Sequence, residues 1–249
     1  MGLFGFGKDD AQVAKEQVAQ TRTALEQAQA GPQDQGFLGS SATKMVENLL
    51  DSGIDGKGPF DPAASVAASA LKKNGGNVEA AVDDVVKSHL KLAAAGGFVT
   101  SLGGFITLPV ALPANVLGFY LLATRMTAAV AHLRGHDLTQ PQIRTAVLLT
   151  LVGADADDLL AKAGMVSPTG RLTNLAAQRL PGPALMVLNK AVGFRLLSTA
   201  GRKTFSRFGR NVPIVGGIVG AGLDGWLIKR ISENARREFP TATARIAGA

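Results

Sequence analysis

Leu92 to Thr124 is a run of 33 residues without a single Asp, Glu, Lys or Arg. Few folds can accommodate such a run, since about 20 consecutive apolar residues suffice to cross a bilayer. Two prolines constrain how it is used. Pro109 and Pro113 each lack the amide donor a helix needs and crowd the preceding turn. They leave 13 residues from Gly96 to Leu108 and 11 from Ala114 to Thr124. Both pieces fall short of the roughly 20 residues a straight span requires. The run therefore predicts a bent helical hairpin carrying Phe98, Phe105, Phe119 and Tyr120. Such a hairpin is either buried in a core or dips into a membrane without crossing it.

A chain of 249 residues can form one large domain or two small ones and bury a sizeable core. Its 46% hydrophobic content and mean hydropathy of +0.18 lie near the apolar edge of ordinary soluble proteins. With 5% aromatics and 30 glycines, that apolarity comes mostly from Ala, Leu and Val. The absence of cysteine rules out disulfides and thiolate metal sites, and it suits a reducing compartment. The opening MGLFGFGKDDAQ lacks the basic and apolar regions of a secretory signal. Phe6 stands where a myristoylation signal needs Ser or Thr. The expected location is cytoplasmic, with a frayed N-terminus.

The net charge of +7 is unevenly distributed. Residues 1–158 carry 12 basic and 16 acidic side chains, whereas Leu159 to Leu223 holds nine basic residues and no acid. A block of this kind favours anionic lipid head groups, nucleic acid or an acidic partner. Its densest part is FRLLSTAGRKTFSRFGR, Phe194 to Arg210. Lys203, Arg207 and Arg210 fall at helical spacing with Phe205 and Phe208 close by, a pattern that can lie on a membrane surface. A plain solvated basic face is the default alternative. Nucleic acid is the weaker partner, because no RNP, zinc-finger or helix-turn-helix signature accompanies the charge.

The coarse pattern is helical, and no stretch sustains the alternation of a strand. An Ala-, Gln- and Glu-rich helix over Asp9 to Ala28 is followed by the linker GPQDQG. Ser41 to Leu50 reads as a short amphipathic helix and Gly53 to Pro62 as a turn-rich loop, with Asp61 and Pro62 opening the next helix. That helix ends at Asn74-Gly75-Gly76, and Asn77 caps another that runs through Leu90 into the uncharged run. A helix from Pro113 stops at Gly135. Thr139 is then expected to cap Gln142 to Leu151, which is apolar nearly all round and so central. Asp155 to Ala163, Met186 to Leu197, Arg202 to Phe208 and Val212 to Ile231 are further helical segments.

Four phrases in this order resemble the EcsC family: GIDGKGPFD (Gly53 to Asp61), GGFVTSLGGFITLPVALPANVLGFY (Gly96 to Tyr120), RGHDLTQPQIRTAVLLTLVG (Arg134 to Gly153), and VGFRLL with VPIVGGIVGAGLD (Val192 to Leu197, Val212 to Asp224). The resemblance covers roughly residues 45–238. It implies a bacterial, helix-rich protein and membrane association. The family takes its name from a gene beside an ABC-transporter pair, which implies work beside a transport or envelope system. It brings no active site with it.

The chemical candidates are few. His132 and His136 share a four-residue spacing, but Gly135 ends the helix between them and no third ligand is near, so no metal is expected. Asp155, Asp157 and Asp158 lack the rest of a calcium loop and suit a first helical turn. Gly220, Gly222 and Gly225 satisfy G-x-G-x-x-G spacing without the preceding strand that a dinucleotide site needs. Gly216, Gly217 and Gly220 instead predict close helix packing. No GxxxxGK[ST] is present, and no cofactor is expected. Arg125, Arg144, Arg195 and Asp224 sit in apolar surroundings and must be paired if buried. They are candidates for a fold-fixing ion pair, with Asp224 the expected acid, or for anchoring a ligand.

These observations predict an all-α, compact helical bundle with the proline-broken apolar hairpin and a glycine-rich C-terminal helix. Residues 1–36 form a helical extension and linker, 37–239 the EcsC-like domain and 240–249 a disordered tail. The leading function is non-enzymatic, with the protein seated peripherally on the inner face of the cell membrane through the hairpin and the basic block, and a membrane-protein partner is a further expectation. A soluble carrier of a lipid or other hydrophobic ligand is the alternative, and an enzyme of unrecognised type is a third.

Overall fold

A computed structural model describes residues 37–94, 114–153, 155–162, 180–208 and 215–241. Eight α-helices run through them: α1 (Phe37–Asn48), α2 (Ala63–Lys73), α3 (Val78–Ala94), α4 (Ala114–Leu133), α5 (Pro141–Val152), α6 (Asp155–Lys162), α7 (Gly182–Phe208) and α8 (Val215–Glu238). No strand occurs among the described residues. A π-helical turn, Leu49–Ile54, continues α1 beyond the predicted end at Leu50, so the expected loop starts only at Asp55.

Helix α4 is the centre of the bundle, packing against α2, α3, α5, α8 and the π-turn. Its sequence explains the position: from Leu117 to Leu133 the side chains are buried with only Phe119, Arg125 and His132 as exceptions. Helix α5 is apolar on every side, and Thr145 to Leu151 are all buried. Two of the buried threonine hydroxyls in these helices are satisfied within their own helix. Thr124 donates to the Tyr120 carbonyl at 2.7 Å and Thr150 to that of Ala146 at 2.8 Å, each one turn back.

Local signals set several boundaries as expected. Gly75 and Gly76 take φ of +60° and +85°, values open to glycine, and the Gly76 amide reaches back to the Leu71 carbonyl at 2.9 Å. The Asn77 side chain then accepts from the Ala80 amide at 3.0 Å and starts α3. Two expected caps are replaced. Asp61 makes no cap for α2, whose N-cap position is Pro62. Thr139 does not cap α5, because its amide and hydroxyl are both bound to the Asp137 carboxylate at 2.9 and 2.7 Å, leaving Gln140 at the N-cap. The two segments expected at Met186 to Leu197 and Arg202 to Phe208 are one helix, α7, because Gly201 does not break it. Helix α8 starts later than expected and continues to Glu238.

Helix directions follow from the polar contacts. Arg134, just past α4, binds Glu79 at 2.9 Å in the first turn of α3, so α3 and α4 are antiparallel. Arg236 binds Asp83 at 2.5 Å, so α8 also runs antiparallel to α3. The end of α3, the start of α4 and the start of α8 therefore lie at one end of the bundle.

Candidate functional site

Arg125 of α4 is the centre of a polar cluster inside this apolar core. Its guanidinium lies 4.9 Å from the centroid of the Phe60 ring, close enough for a cation–π contact. Burial pulls its pKa below the ordinary arginine value, while the charge of Asp61 works in the other direction. Its positive charge also reaches His89 of α3, which is 3% exposed. Burial, more than that charge, lowers the His89 pKa to about 4, so the ring is neutral near pH 7.

Ser88 stands beside His89, with its Oγ 3.3 Å from Nδ1. This pair is not a nucleophile and its base. Nδ1 lies 2.8 Å from the Val85 carbonyl, an acceptor only, so Nδ1 holds the proton and donates it there. The Ser88 hydroxyl donates to the same carbonyl, also at 2.8 Å. A base must have a free lone pair toward the hydroxyl it activates, and Nδ1 has none.

A groove of about 350 Å³ opens between α2 and α3 beside this cluster. Val66, Ala70 and Val85 form its floor, and Asp61, Ser65, Ser69 and Ser88 its rim. The Lys73 ammonium and Asp84 carboxylate close one end at 2.7 Å. The lining suits a small polar guest better than a lipid chain. No group of three His, Cys, Asp or Glu side chains poised for a metal exists among the described residues.

Arg144 finds its acid, but it is not the expected one. Its two terminal nitrogens bind both oxygens of Asp55 at 2.7 and 2.6 Å, in the loop after the π-turn. Those hydrogen bonds hold the Asp55 carboxyl below its ordinary pKa and raise that of Arg144. Replacing Asp55 with alanine is expected to cost about 1 kcal/mol, low in the range for charged pairs because its side chain is more than a third exposed. A double-mutant cycle with Arg144→Met, read by urea unfolding, checks the coupling. A coupling near zero would remove the pair from the account of stability.

The other described candidates lie on α4, α7 and α8. Arg195 is buried on α7, and its charge opposes the burial that raises the Tyr120 pKa to about 12. Tyr120 meets Phe119 edge to face at 5.3 Å. Asp224 is half-buried on α8. Phe98, Phe105, Pro109, Pro113 and Arg210 lie outside the described residues, as do the N-terminal extension and the tail from residue 242 onward. Lys203, Phe205, Arg207 and Phe208 belong to α7, and Gly216, Gly217 and Gly220 to α8, but the packing around them also lies outside what is described.

Two features were not anticipated. Arg134 donates to the carbonyls of Arg236 and Phe239 at 2.6 and 2.8 Å, closing the C-terminus of α8. His136 is buried with its ring edge-on to Phe239 at 5.2 Å, rather than capping α4. The second feature is surface composition. Trp226 is 54% exposed and Leu92 44% exposed, both large apolar side chains in water.

Together these features define an all-α bundle built around a buried central helix. The chain belongs to the EcsC protein family, whose model matches residues 65–241. No curated protein and no solved structure matches it. The matched span holds α3 to α8 whole and most of α2, so Arg144 lies within it while its partner Asp55 lies upstream.

Proposed function

We propose that this protein associates peripherally with the cytoplasmic face of the cell membrane through its uncharged run and its basic block, and that it has no catalytic role. What supports this reading is that the end of α3, the start of α4 and the start of α8, the described helix ends that flank those two segments, lie at one end of the bundle. Residues 95–113 leave α3 and return to α4 at that end, where α8 also begins. The basic turns of α7 stop at Phe208, with six residues between it and Val215, and the seven chain steps joining them reach no further than about 25 Å. No described helix is long and apolar enough to cross a membrane, in keeping with contact from one side.

A cationic, apolar end of this kind favours an anionic surface, since each Lys or Arg near such a bilayer contributes about 1 kcal/mol. The test is flotation of the full chain with vesicles of neutral phosphatidylcholine or of phosphatidylcholine with phosphatidylglycerol, at low and high salt. Binding is expected on the anionic vesicles and should weaken as salt rises. Neutralising Lys203, Arg207 and Arg210 together is expected to lower partitioning roughly a hundredfold. Binding to neither vesicle overturns the reading. A place beside a transport or envelope system is part of the same proposal, and it would be tested by crosslinking in membranes.

A further inference from the structure

Trp226 is the chain's single tryptophan, and it lies more than half in water on the outer face of α8. The Arg230 guanidinium is 5.5 Å from its ring centroid. Lys229 and Arg230 are exposed beside it, and Lys87 and Lys91 are exposed on α3. The antiparallel packing brings these groups to one level. Trp226 is ten residues before Arg236, and α3 ten residues beyond its contact with Arg236 reaches Lys91 and Leu92. Between Val85 and Ala94, and between Gly225 and Ser232, there is no Asp or Glu.

From this arrangement we infer that Trp226, with Leu92 and the cations Lys87, Lys91, Lys229 and Arg230, forms an interfacial anchor for an anionic bilayer. The inference rests on the membrane reading above and adds to it the contacting residues and the orientation. Tryptophan prefers the headgroup layer, where its ring is shielded and its N–H stays hydrated. The four cations meet anionic head groups at the same depth, as on the polar face of an interfacial helix. The charge pattern selects this occupant. An apolar protein partner would gain nothing from four exposed cations around one aromatic ring. The bundle thus turns the flank of α3 and α8 that carries Trp226 toward the lipid, and the Arg134–Glu79–Arg236 cluster lies about ten residues further along α8.

The single tryptophan reports on its own position. Full chain is mixed with phosphatidylcholine–phosphatidylglycerol vesicles, with and without bromine on the acyl chains, and Trp226 emission is read together with flotation. Emission is expected to shift to the blue and be quenched by the brominated lipid on the anionic vesicles. Acrylamide should quench Trp226 strongly in the free protein. Trp226→Ala is expected to weaken vesicle partitioning roughly tenfold, as loss of a large half-buried apolar group implies. Flotation with unshifted, unquenched emission would overturn the anchor and leave the membrane reading standing. Loss of flotation altogether would overturn both. Emission shielded from acrylamide in the free protein would mean that the chain itself or a second copy covers the patch, and would overturn the anchor.

Discussion

Gly193→Ala is expected to destabilise the fold by about 2 kcal/mol, opposite in sign to what helix propensity alone predicts. Gly193 is inside α7, where an exposed glycine-to-alanine change gains up to about 1 kcal/mol. A methyl group there would lie 2.5 Å from the Ala42 carbonyl oxygen and 3.1 Å from Cγ2 of Val46 on α1. The nearest obstacle is backbone, so no rotamer change relieves it. The two helices must separate, and overpacking of this kind costs typically 1–3 kcal/mol. Because α1 buries Met45 and the π-turn that continues it buries Leu49 in the core, the separation propagates inward. Gly225→Ala on α8 is the control, since nothing lies within 4 Å of its would-be methyl group, and it should be neutral or stabilising. Urea unfolding of both variants checks the pair. A stabilised Gly193→Ala would show that α1 and α7 are not in close contact.

That comparison marks where the sequence was legible. Glycine spacing pointed to Gly216, Gly217 and Gly220, whose packing lies outside what is described, and it gave no sign of the close approaches at Gly193 and at Gly53, whose added methyl would lie 2.8 Å from the Thr124 side chain. Spacing shows that a helix face is small. It does not show which helix comes near, because that depends on contacts far apart in the chain. The same limit explains the ion pair. Arg144 was recognisable as a charge that needs a partner, but Asp55 is 89 residues away, in a loop that sequence reads only as turns.

What depended on neighbouring residues was legible. The stop at Asn74-Gly75-Gly76, the cap by Asn77, the end of α4 before Gly135 and the burial of α5 all follow from short-range preferences and from an apolar pattern without a polar face. Thr139 failed for a local reason as well, since its amide and hydroxyl both donate to the Asp137 carboxylate and the N-cap position passes to Gln140. The exposure of Trp226 was hidden for a different reason. A lone aromatic on a helix gives no sign of its direction until its neighbours fix the helix's rotation, as Ile228, Ile231 and Ala235 do by facing inward.

Acid is expected to weaken the fold by up to about 3 kcal/mol through His89 alone, over a pH range distinct from that of the carboxylates. In the unfolded chain a histidine takes up its proton near pH 6.5, whereas in the bundle burial delays uptake to about 4. Above pH 6.5 both states carry neutral His89 and its contribution is constant. Between 6.5 and 4 only the unfolded state binds the proton, so stability falls by about 1.4 kcal/mol per pH unit. Asp55 and Asp83 add their losses at lower pH, because their arginine partners hold them below the ordinary carboxylate value. His89→Met keeps the volume and removes the titration, giving up one hydrogen bond within α3. Urea midpoints measured from pH 7.5 to 4.5 should therefore decline in the wild-type chain and stay nearly level in the variant, with the two curves crossing on the acid side. A wild-type slope that persists in His89→Met would assign the proton uptake to another group. A levelled slope would mean that the neutral ring is a condition of the fold, since a buried imidazolium there would add a second cation within reach of the Arg125 charge with little water to screen them.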